Sequence, residues 1–232
     1  MRYLFNKAER ILFYLLLFSI PFQTRKILWQ QNWYFSEWQS VSIYATDLLL
    51  LVLFVFWAVY TSGHFPFCSR LTLKGSDASH KPKSVRFLCQ KPDFYLVFFV
   101  IISALSIKNF LVFFGFLKII EFVVFYFYIK SYATERFGFT RSLLAIITGG
   151  VFQSVIAVFQ FLKQSDIGLR ILGESLLGKD MTGIASFYNM AGEKVVRAYG
   201  TTPHPNVLAA YLFLAIFAFY YLWLYKKLNK SY

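Results

Sequence analysis

The residues best equipped for chemistry fall in one run, Arg197-Ala198-Tyr199-Gly200-Thr201-Thr202-Pro203-His204-Pro205-Asn206, which ends where a long apolar stretch begins. Pro203 and Pro205 bar a regular helix before position 205 and push the residues before them into extended conformations. Asn206, or His204 with Pro205 at the first helical position, can cap the helix that follows. A helix start offers free N–H groups and the positive end of a dipole, which favour an anion. Arg197 and His204 can converge there, and Gly200 lets the chain turn back. A guanidinium is the side chain best matched to phosphate oxygens. Two readings stand on these residues alone. Arg197, Gly200, His204 and Asn206 form an anion site, or the run is a capped helix whose arginine pairs with lipid phosphate.

Three other constellations sit within apolar segments. Lys118 and Glu121 are three apart and share one helical face. Charges there are costly and face a bundle interior or an aqueous cavity, so they form an internal ion pair or line a polar substrate path. Asp47 is a helix cap or lines the same cavity. Gln153 and Gln160, seven apart on one face, are expected to hydrogen-bond between helices. Cys68 and Cys89, with His64 and His80 nearby, match no zinc spacing and read as free thiols. There is no Ser-His-Asp set, P-loop or metal-ligand cluster, so neither metal nor cofactor is expected.

These residues must be positioned by membrane helices. The chain is 58% hydrophobic and 22% aromatic but only 15% charged, with a formal net charge of +13. A soluble domain could not hide that much apolar surface. The positive charge lies in loops between hydrophobic runs, which suits membrane orientation better than nucleic acid. Six apolar segments are legible: 11–22, 44–60, 93–107, 109–129, 142–162 and 206–225. A bilayer core of about 30 Å takes about 20 helical residues, so the first and third are short. The first resembles a signal peptide, but Pro21-Phe22-Gln23-Thr24-Arg25 offers no cleavage site and the segment reads as a retained helix. The third and fourth read as two spans.

The expected fold is therefore all-α: a polytopic membrane helix bundle of about six transmembrane helices, residues 1–232 forming a single transmembrane domain. With the N-terminus inside, the cytoplasmic parts hold 15 Lys and Arg against 8 in the outer parts. The positive-inside rule then places both termini in the cytoplasm. Residues 61–92 become a basic cytoplasmic loop that meets anionic lipid heads, and 163–205 a glycine-rich outer loop. The aromatic-rich first outer loop, 23–43, reads as an interfacial anchor.

The opening run resembles the conserved motif of the O-antigen ligase and polymerase superfamily of bacterial membrane proteins. There an Arg-x-x-Gly stretch leads into His/Asn-Pro-Asn and a transmembrane helix; here these are Arg197 to Gly200 and His204-Pro205-Asn206. The stretches LLFSIPFQTRK (16–26), SEWQSVSIYATDLLLL (36–51) and GLRILGESLLG (168–178) also resemble the N-terminal half of such proteins. The resemblance implies transfer of a glycan from an undecaprenyl-diphosphate carrier to an acceptor on the outer side of the cytoplasmic membrane, in cell-surface polysaccharide assembly. It needs no metal or nucleotide. Arg197 maps onto an arginine that binds the lipid diphosphate. Family members are substantially longer, and their later helices and large outer loop carry a second arginine and the histidine that activates the acceptor. This chain therefore corresponds to the N-terminal half, His204 is not that base, and the catalytic residues stay unassigned. Two other classes compete: a non-catalytic membrane subunit or split half that binds lipid-linked glycan, and a small transporter.

Overall fold

A computed structural model describes residues 2–30, 40–61 and 91–229. Among these residues it is mostly helical, with six helices: α1 (Arg2–Ser19), α2 (Ala45–Thr61), α3 (Lys91–Leu105), α4 (Phe110–Arg136), α5 (Phe139–Lys163) and α6 (Pro205–Asn229). Three of them, α4, α5 and α6, are long and apolar enough to cross a membrane, which marks a multi-pass membrane protein. The apolar parts of α2 and α3, Ala45–Val59 and Asp93–Leu105, are shorter. Helix α1 has 18 residues and takes in Arg2, Lys7, Glu9 and Arg10, extending the first apolar run back through its basic flank.

The all-α expectation needs one correction. Among the described residues two two-stranded hairpins are present, β1 (Arg25–Gln30) with β2 (Ser40–Tyr44), and β3 (Ser186–Tyr188) with β4 (Lys194–Val196). Both lie in segments read as outer loops. Loop backbone in contact with water can pair locally, and short strands meet its hydrogen-bonding needs.

The chain divides into two compact units. One comprises Met1–Ile27, Ser42–Leu50 and Phe137–Tyr232. Here α5 packs against both α1 and α6. Close approach is possible because α5 presents Gly149 and Gly150. A Cβ at Gly150 would sit 2.4 Å from Ala215 Cβ, and one at Gly149 would sit 2.2 Å from Tyr211 Oη. Small residues at such crossings let membrane helices gain packing energy where no hydrophobic drive exists between them. The ring of Phe139, which opens α5, meets Tyr221 late in α6 at 5.6 Å, so these helices run antiparallel. Thr201 Oγ1–H donates to Pro21 O at 3.2 Å, so α1 ends where α6 begins.

The other unit comprises Leu28–Val41 and Leu51–Arg136. Its centre is Tyr128, fully buried among the rings of Phe54, Trp57, Phe125 and Tyr132. Asn109 starts α4: its side chain accepts the Val112 N–H at 2.9 Å, as an N-cap should. Near the other end, a π-helical turn at Ile129–Ala133 interrupts the α-helical ladder. Asp93, in the first turn of α3, is buried and receives Lys130 Nζ at 2.6 and 2.7 Å and Tyr126 Oη–H at 3.0 Å. The pair ties the start of α3 to the end of α4, so these two helices form an antiparallel hairpin.

Candidate functional site

The site is built on one face of α5. Gln153, Gln160 and Gln164 follow at intervals of seven and four, two turns and then one. Together they hold the main chain from Val196 to Thr201. Gln164 Oε1 accepts the Val196 N–H at 2.8 Å. Gln160 Oε1 accepts the N–H groups of Tyr199 and Gly200 at 3.0 and 2.7 Å, and its Nε2–H donates to Gly200 O at 2.9 Å. Gln153 Oε1 accepts the Thr201 N–H at 2.9 Å while its Nε2–H donates to Thr201 Oγ1 at 2.6 Å. Gln153 and Gln160 are buried, as are Thr201 and Thr202. Buried polar groups that all find partners form a specific, rigid frame.

Gln160 uses its full amide capacity, because its second N–H bond goes to Glu174 Oε1 at 2.7 Å. Glu174 is buried too. Its carboxylate also accepts the Ile167 N–H at 2.8 Å and, in a short bond, the Leu169 N–H, so the loop after α5 folds around it. Gln164 closes α5 in the left-handed region, with φ of 56°. That conformation is costly for a residue other than glycine, and its side-chain bond to Val196 offsets the cost. The expectation that Gln153 and Gln160 bond between helices is thus corrected: they bond the loop between α5 and α6. A loop backbone without a sheet to join has more unmet hydrogen bonds than a neighbouring helix has.

Above this frame stands an exposed arm. Arg197 Nη2–H donates to Asn206 Oδ1 at 3.1 Å, and both residues are exposed. His204 is the N-cap and Pro205 the first helical residue: His204 Nδ1 accepts the Asn206 N–H at 3.2 Å. His204 O accepts the N–H groups of Val207 and Leu208 at 3.0 and 3.2 Å. With Pro205 lacking a donor, the first N–H groups of α6 are all engaged, and the expectation of free N–H groups for an anion is corrected. Donors come from side chains instead. With Nδ1 accepting, Nε2 is the ring nitrogen left to donate, and the guanidinium has four N–H groups beyond the one on Asn206. Gly200 faces inward with φ of +61°, and its part is to turn the chain. Below it, Tyr199 packs with Leu177 and Val196, and its Oη accepts the Ala185 N–H at 2.8 Å.

The structure thus brings Arg197, His204 and Asn206 together and sets Gly200 beneath them. Asp47 is a helix cap: from the first turn of α2 its Oδ2 accepts the Tyr44 N–H at 2.9 Å, the reach-back half of a capping box. Lys118 and Glu121 pair along α4 at 3.2 Å, both partly buried. The aromatic anchor of the first outer loop falls mostly at 31–39, and Cys68, Cys89, His64 and His80 fall within 62–90; these lie outside the described residues. Sequence reasoning missed Glu174, Thr201 and Gln164 as parts of the frame. The available signal was three glutamines on one face of an apolar helix beside a glycine-rich loop.

Compared with family models, curated proteins and solved structures, the chain matches none.

Proposed function

We propose that this chain is an O-antigen ligase-like membrane protein that binds the diphosphate of a lipid-linked glycan through Arg197, His204 and Asn206. The observation that carries this reading is the exposed Arg197–Asn206–His204 cluster at the start of α6, held on a buried, fully bonded frame. An exposed arginine is normally mobile. Here its main chain is fixed on both sides, by the Gln164–Val196 bond and by the Gln160 bonds to Tyr199 and Gly200. Such preorganised donors favour a dianionic group and stabilise it further as charge builds on a departing diphosphate. The sequence motif points to the same ligand class. The excess of Lys and Arg in the inner loops puts both termini in the cytoplasm and the cluster on the outer face of the cytoplasmic membrane, where undecaprenyl-diphosphate glycans are presented.

In this role Arg197 binds the diphosphate with its planar fork, and His204 Nε2–H supplies a second donor. Asn206 orients the guanidinium. A non-catalytic subunit or split half that presents the donor to a partner would use the same residues in the same way. It differs only in needing a second protein for transfer.

The test is binding of an undecaprenyl-diphosphate glycan to the purified protein and its Arg197→Ala and Arg197→Lys variants, with a thermal melt of each. A charge-assisted hydrogen bond is worth about 1.5–3 kcal/mol, or roughly tenfold to a hundredfold in affinity. Arg197→Ala should lose that much with an unchanged melt, and Arg197→Lys should recover part. Normal binding by Arg197→Ala would leave only a capped helix.

A further inference from the structure

The hairpin β3–β4 runs directly into Arg197. Ser186 pairs with Val196, Phe187 with Val195 and Tyr188 with Lys194. The Arg197 N–H donates to Ala185 O at 3.0 Å, which carries the ladder one pair further. Side chains alternate between the two faces of a strand. Val196 is buried against Leu177 and Tyr199 at the α6 end of its face, while Tyr188, further along that face, is 72% exposed. Arg197, Val195 and Phe187 therefore share the opposite face, where Phe187 is 48% exposed. The next pair on that face is Asn189 and Glu193. Asn189 Oδ1 accepts the N–H groups of Ala191 and Glu193 at 3.0 and 2.9 Å, and Asn189 Nδ2–H donates to Glu193 Oε2 at 3.0 Å. Moving away from α6, the Arg197 face offers a guanidinium, an aromatic ring and a carboxylate held in place by its neighbour. Same-face positions lie about 6.8 Å apart, so the ring is one step from the guanidinium and the carboxylate two.

The geometry points to a sugar-binding strip on this face, continuous with the diphosphate cluster and taking a glycosyl diphosphate; it rests on the proposed function above. A pyranose ring has an apolar C–H face that packs on an aromatic ring, and a rim of hydroxyl donors that suits a carboxylate acceptor. Charge sets the direction of binding. Phosphates are drawn to Arg197 and repelled by Glu193, so the diphosphate lies at the α6 end and the sugars extend toward the hairpin tip. The first sugar lies over Phe187, and Glu193 accepts from hydroxyls beyond it. Phe187 and Glu193 are thereby the residues that distinguish a sugar-bearing donor from a bare lipid diphosphate.

The experiment compares two probes on the purified full chain in nanodiscs: undecaprenyl diphosphate, and undecaprenyl diphosphate carrying a disaccharide. The variants are Phe187→Ala, Phe187→Trp, Glu193→Gln and Arg197→Ala, all at exposed positions. Phe187→Ala should weaken the disaccharide probe about fivefold to tenfold and leave the bare probe unchanged, and Phe187→Trp should restore binding. Glu193→Gln should weaken only the disaccharide probe, by about threefold. If Arg197→Ala weakens both probes while Phe187→Ala weakens neither, or weakens both equally, the strip is wrong and the diphosphate cluster stands. If Arg197→Ala leaves the bare probe unaffected, the diphosphate reading fails and the strip fails with it.

Discussion

A β-carbon at Gly200 would lie 2.4 Å from Gln153 Oε1, on a backbone whose φ of +61° side chains rarely adopt. Gly200→Ala must therefore shift Gln153 away from Thr201 or twist the turn, at a cost of about 1–3 kcal/mol. The expected outcome is a lower melting temperature together with weaker ligand binding, since the turn and the arm move as one. Gln160→Leu should be more severe. It strips partners from two N–H groups, one carbonyl and the Glu174 carboxylate, all in a buried setting. A loss of about 2–5 kcal/mol is expected, read as a fall in the detergent melt. Arg197→Ala should leave the melt unchanged, and that contrast separates the exposed arm from the frame beneath it.

Helix pairs carry two further consequences. On α5, Gly150 meets Ala215 so closely that Gly150→Val must push α6 outward. Overpacking of this kind costs about 1–3 kcal/mol. A thermal melt should fall by that amount, and the additional substitution Ala215→Gly should recover part of it, because the two positions share one contact. In the α3–α4 hairpin, Lys130→Met removes the counter-charge that Lys130 brings to the buried Asp93. Breaking one side of a buried pair costs about 3–5 kcal/mol, whereas removing both charges is often close to neutral. The Asp93→Asn, Lys130→Met double variant should therefore melt closer to the parent than Lys130→Met alone.

For the whole molecule, the bias of basic residues makes a definite claim about sidedness. Reporter fusions after residues 75, 135 and 232 should read as cytoplasmic, and one after 185 as external. A membrane-impermeant maleimide should label neither Cys68 nor Cys89 in intact cells. An external signal at 75, or labelling of either thiol, would invert the arrangement and move the Arg197 cluster to the cytoplasmic face.

All six helices were legible in the sequence because each is an apolar run long enough to dominate its neighbours, and hydrophobicity acts without regard to partners. The helix start after Pro203 and Pro205 was equally legible, since proline geometry is local. Between the two possible caps the sequence could not choose. The structure selects His204, whose ring reaches the Asn206 N–H once Thr201 and Thr202 are pinned below. That Gln153, Gln160 and Gln164 hold residues 196–201 could not be read from spacing. A glutamine on an apolar helix can meet a helix, a loop or water, and hydrogen bonds across more than thirty residues depend on where the intervening chain returns. The β3–β4 hairpin was missed for the same reason: strands of three residues carry too little periodicity to register, and it exists because the chain on either side is already held. Composition and local backbone sterics settled which segments are helical; only the tertiary return of residues 164–204 onto α5 decided which polar groups stand exposed and which hold the frame.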